Sequence, residues 1–90
     1  MAEVVRLMSD HSADWPLWHE GGTGREDWPR LSDELASDLD RWNALWHGDH
    51  RYGWTDEDAR RGYVDEAPVL AERLQRELGR DWVVEVGPLS

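Results

Sequence analysis

The chain contains no cysteine, phenylalanine, lysine or isoleucine. Without Cys there are no disulfides, no thiolate metal sites and no Cys nucleophile, and a reducing compartment such as the cytosol is acceptable. Without Phe and Ile, the core has to come from Leu, Val and the 7 Trp. Each Trp can bury on the order of 200 Å². With Lys missing, all 10 basic residues are Arg, a bias that fits a GC-rich genome and by itself indicates no binding chemistry. No apolar run approaches membrane-spanning length, and Met1-Ala2-Glu3-Val4-Val5-Arg6 has no basic segment followed by a long apolar one. These absences predict a cytoplasmic protein with no membrane partner.

What is abundant is acid. Twenty Asp and Glu against ten Arg give a formal charge of -10. Such a chain repels phosphate backbones and anionic lipid, so direct nucleic-acid binding is not expected. Regularly spaced Leu and Trp argue for a packed domain rather than disorder. Ninety residues predict a single domain, 1–90, with a small core.

The most strongly patterned stretch runs from Ser32 to His50, where Leu35, Leu39, Trp42 and Trp46 form a helical stripe behind Ser32-Asp33-Glu34. Ser32 is a good N-cap, the two carboxylates suit the positive end of the helix dipole, and Gly48 marks a stop. A second helix follows, with Thr55 and Asp58 as a capping pair and a stripe of Ala59, Tyr63, Ala67, Leu70, Leu74 and Leu78 ending at Gly79. Pro68 predicts either a kink near Val64 to Ala67 or a fresh start capped by Asp65.

Alternation at 3–8 (Val4, Arg6 and Met8 against Val5 and Leu7) and at 81–86 (Trp82, Val84 and Val86 against Val83 and Glu85) predicts two strands. Between the first strand and first helix lies a loop over 11–31, with two Trp-Pro steps and a Gly21-Gly22-Thr23-Gly24 tip; 87–90 is a tail. The expected fold is α+β, a two-layer β-loop-α-α-β unit with two amphipathic helices on a small two-stranded sheet. Two strands leave open edges, which predicts a homodimer paired through 3–8 and 81–86.

Ser12-Ala13-Asp14-Trp15-Pro16-Leu17-Trp18, Leu31-Ser32-Asp33-Glu34-Leu35 with Trp42 and Trp46, and Leu70 to Gly79 before a Val84-Glu85-Val86 strand together resemble small acidic, Trp-rich proteins of unknown function from GC-rich bacteria. The resemblance implies no activity, cofactor or site residue.

His47, Asp49 and His50 form the sharpest cluster and are the candidate Zn²⁺ or Ni²⁺ ligands, with His19 or His11 as a distant fourth. Their spacing matches no established site, and His and Asp suit a helix end for structural reasons. The glycine tip lacks a following Lys and is flanked by Glu20, Glu26 and Asp27, which would repel phosphate. Asp33, Glu34, Asp38 and Asp40 read as a solvated helix face, and no Ser-His-Asp set carries an elbow motif. No catalytic residue and no cofactor is therefore assigned. Trp42, Trp46 and Trp82 read as core, whereas Trp15, Trp18, Trp28 and Trp54 are candidate interaction residues. The best-supported function is a non-enzymatic protein-interaction module with a protein partner, a small acidic regulator or immunity-type inhibitor. A small-ligand or metal-binding protein is the alternative, and a small hydrolase the second.

Overall fold

The computed structural model describes residues 3–10, 15–19, 28, 31–49 and 56–87. Along the chain these form β1 (Glu3–Leu7), β2 (Leu17–Trp18), α1 (Asp33–Asp49), α2 (Glu57–Leu78), a single 3-10 turn (Gly79–Asp81) and β3 (Trp82–Val86). The sheet order is β2-β1-β3, with β2 antiparallel and β3 parallel to β1. A parallel pair needs a long crossover, and here both helices lie within it. Helices and sheet make the expected two-layer α+β arrangement.

The sheet has three strands, not two. Leu17–Trp18 lies within the predicted loop and pairs with Arg6 and Leu7, and the Met8 N–H extends the pairing to the Pro16 carbonyl at 2.9 Å. Two residues are too few to show an alternating pattern, so this strand exists through its partner rather than through local sequence. With β1 central and both of its edges occupied, residues 3–7 offer no free edge for the expected pairing between copies. The outer edges of the sheet belong to the short β2 and to β3.

Alternation in β1 buries Val5 and Leu7 and exposes Val4 and Arg6. The α1 stripe behaves as its spacing requires, with Leu35, Leu39, Trp42 and Trp46 all buried. On α2 the buried stripe is Tyr63, Ala67, Leu70, Leu74 and Leu78. That stripe spans Pro68, which is exposed, and α2 is one helix from Glu57 to Leu78 instead of restarting at Asp65. Proline's fixed φ is already helical, so Pro68 removes a backbone donor without ending the helix. Gly79, at φ 76°, ends the helix in the left-handed region that glycine tolerates, and its N–H donates to the Gln75 carbonyl.

The α2 cap is Asp56 in place of the Thr55–Asp58 pair. Its backbone is extended, and its carboxylate accepts from the N–H groups of Asp58 and Ala59 at 2.9 and 3.2 Å. Thr55 lies outside the described residues. Ser32 caps α1 as expected, its Oγ accepting from the Leu35 N–H at 3.1 Å. α1 passes through Gly48 and ends at Asp49.

The helices meet across Trp42 and Tyr63, whose rings stack with centroids 4.2 Å apart and planes 8° from parallel. The Trp42 indole N–H donates to the Tyr63 carbonyl at 2.9 Å in the buried interior. Outside this contact runs a polar seam. Glu77 accepts from the Ser32 N–H and hydroxyl at 2.7 and 2.8 Å, Arg73 reaches Asp38 at 2.7 Å, and Arg41 reaches Glu66 at 2.9 Å. These partners are part or fully exposed, and each such pair contributes at most about 1 kcal/mol. They set helix register more than they supply stability.

Replacing Trp42 by Phe keeps a ring beside Tyr63 but removes the buried indole N–H. The unfolding free energy is expected to fall by about 1–2 kcal/mol, read from a lower urea midpoint at unchanged m-value.

Candidate partner-binding surface

The helices cover one face of the sheet, and among the described residues no element packs on the other. Strand register brings the outer residues together: Val4 lies beside Val83, and Arg6 lies between Glu85 on β3 and Trp18 on β2. Val4 and Val83 are 47% and 45% exposed, an adjacent apolar pair in water. Arg6 and Glu85 are exposed as well, while Trp18 is partly buried and donates its indole N–H to the Met8 carbonyl at 3.2 Å. Beyond β3, a Cβ on Gly87 would come within 2.8 Å of the Met8 sulfur and 3.0 Å of Arg6 Cδ. Glycine there lets Met8 and the stem of Arg6 lie close against the strand end. The result is a flat, mixed surface of apolar and charged groups, the texture of a protein-binding patch rather than a substrate cleft.

The candidate interaction tryptophans have separate locations. Trp15 is buried at 5% exposure and Trp28 at 4%, both within the core. Trp28 packs against Trp82 with ring centroids 4.8 Å apart, and His19 is set edge-on to both at 5.3 and 6.0 Å. The three rings close the core near the start of β1, opposite which Trp82 lies. Trp18 alone of the described three belongs to the open face, and Trp54 lies outside the described residues. Val4, Arg6, Val83 and Glu85 were not singled out in the sequence. Their signal was the outward half of each alternating strand, whose juxtaposition required the β1–β3 pairing.

Of the candidate metal ligands, His47 is partly buried near the end of α1, its ring edge-on to Trp46 at 5.1 Å. Asp49 is the last residue of α1 and His50 lies outside the described residues. Among the described residues, no three His, Asp or Glu side chains group to hold a metal ion. Asp33, Glu34 and Asp40 are on the exposed side of α1, while Asp38 faces Arg73. No helix among the described residues is long and apolar enough to cross a membrane.

Residues 3–88 match the model of a family described as Serratia CdiI immunity protein-like. The chain belongs to this family of small immunity proteins. No curated protein matches it. Membership implies a protein partner, a toxin, and so gives a function class where the resemblance to Trp-rich acidic proteins gave none. A flat exposed patch on a small α+β domain suits that class, because an immunity protein acts by contact.

Among the described residues, the most displaced titratable group belongs to the core rather than to the patch. Burial pushes the Tyr63 phenol up from 10.0 to about 12, and the neighbouring Ser9 draws it partly back. A phenol held protonated and stacked on Trp42 is structural. Since the unfolded chain ionises near 10 and the native state near 12, stability present below pH 10 is lost as pH rises toward 12. The expected loss is about 2–3 kcal/mol, followed as the urea midpoint against pH, and Tyr63→Phe should remove most of that dependence.

Proposed function

We propose that this protein neutralises a toxin by binding it, with the open sheet face as part of the contact. Family membership over residues 3–88 is the observation that carries this reading. Two features of the chain support it. The charge of -10 favours a partner with a basic surface and speeds encounter with it. Val4, Val83 and Trp18 provide apolar area around Arg6, and Arg6 and Glu85 orient the partner. Exposed carboxylates on α1 and α2, among them Asp33, Glu34, Asp58 and Asp65, extend the negative field beyond it. The proposed place of action is the cytoplasm, a compartment with which a cysteine-free chain is compatible.

No enzymatic step is needed. A toxin whose working surface is basic is blocked when an acidic protein occupies that surface, and charge speeds association while apolar contacts slow release.

Co-expression with a toxin encoded beside this gene is the direct test. The expected result is restored growth and a complex that survives gel filtration, with affinity falling by about tenfold or more between low and moderate salt. The double substitution Val4→Asp and Val83→Asp should weaken that complex by about tenfold or more while shifting the melting temperature by only a few degrees. Absence of both binding and growth rescue for every neighbouring toxin would rule the function out. A complex indifferent to the double substitution would move the contact elsewhere.

A further inference from the structure

β3 is an edge strand with a run of adherent residues. Trp82, Val83 and Val84 carry no charge, and Val83 and Val86 are 45% and 42% exposed. Such an edge is a template for another strand. Its main-chain groups divide in alternation. The Gly87 N–H donates to the Leu7 carbonyl at 2.9 Å, so residues 83, 85 and 87 point toward β1, and Trp82, Val84 and Val86 point outward.

The outward groups at the start of the strand already have partners. The Trp82 N–H donates to the Gly79 carbonyl. The side-chain amide of Gln75, on the last turn but one of α2, supplies the rest. Its Nε2 donates to the Trp82 carbonyl at 2.7 Å and to the Gly79 carbonyl at 3.0 Å, and its Oε1 accepts from the Val84 N–H at 3.0 Å. Both amide hydrogens and the oxygen are engaged, which also fixes the orientation of the group. A carboxamide has the same donor and acceptor as a peptide unit. Gln75 thus offers Trp82 and Val84 what one residue of an adjacent strand would offer. It is the only glutamine in the chain.

We propose that Gln75 is an edge guard, a side-chain substitute for a fourth strand that prevents a second copy of this chain from pairing with β3. The 3-10 turn makes this possible: Gly79 reverses the chain so quickly that β3 starts alongside the helical turn it has just left. An incoming strand has to displace three hydrogen bonds before it gains its own, and beyond the amide only the Val84 carbonyl and the two groups of Val86 face outward. That short remainder is too little for stable pairing.

The test is Gln75→Met, which keeps the length and apolar stem of the side chain and deletes the amide. In sedimentation experiments from about 10 to about 500 μM, the unaltered protein is expected to be monomeric throughout. The Met variant should dimerise within that range, more strongly at higher salt as the repulsion between acidic chains is screened. Adding Val86→Lys to the Met variant should restore the monomer, since a charge on the edge opposes pairing there and would not reverse general stickiness. A folded, monomeric Met variant would overturn the proposal, as would a dimer of the unaltered protein. Amide exchange of the unaltered protein gives a measurement independent of how any variant folds. The Val84 N–H should exchange about tenfold or more slowly than the Val86 N–H, and equal rates would overturn the guard.

Discussion

The contact between Trp42 and Tyr63 is the constraint on which the remaining structure depends. It joins one helix to the other through a stacked pair of rings, and it anchors the indole nitrogen on the backbone of the facing helix. A domain with no Phe or Ile has few other ways to fill a helix interface, so aromatic surface takes the place of aliphatic bulk. Once this contact is set, Asp38, Arg41, Glu66 and Arg73 meet in register along the seam, and Glu77 reaches the N-terminus of α1. The helix pair can then present one continuous apolar face to Val5, Leu7 and Leu17.

A two-layer fold of this size has one covered sheet face and one uncovered face. Larger α/β domains cover both. Here the uncovered face carries valines, a tryptophan edge and a charged pair, and this is why a protein partner is a physically natural function for the chain. Residues 3–88 belong to an immunity-protein family, and the contact proposed on the open sheet face accords with that membership.

How much of this was legible depended on whether the governing interaction was local. The two helices were, because Leu35 to Trp46 and Tyr63 to Leu78 repeat over several turns. β1 and β3 were readable from alternation, but not their relative direction, which depends on a connection of many residues. β2 was unreadable because Leu17 and Trp18 become a strand only by lying beside Arg6 and Leu7. The choice between Thr55 and Asp56 as cap was a one-residue ambiguity among several good capping residues, of the kind sequence seldom decides. Gln75 looked like a routine helix-surface residue, since nothing local announces that β3 will arrive at its side. For the site, residue type alone suggested loop tryptophans. Burial put Trp15 and Trp28 inside, and pairing between distant strands assembled Val4, Arg6, Val83 and Glu85.

Joining residues 3–7 to 82–86 has a consequence for how the molecule is made. The central strand is synthesised well before its parallel partner, which emerges almost eighty residues later, by the register of Glu3 with Trp82. Until then Val5 and Leu7 lack half of their sheet, while α1 and α2 can already find each other on the growing chain. The ordering entropy of that long loop is spent late, in one step, when the ends meet. The β1–β3 half of the sheet therefore cannot form until Trp82 to Val86 has been made, and an arrest in synthesis before Trp82 leaves β1 with β2 as its one strand neighbour.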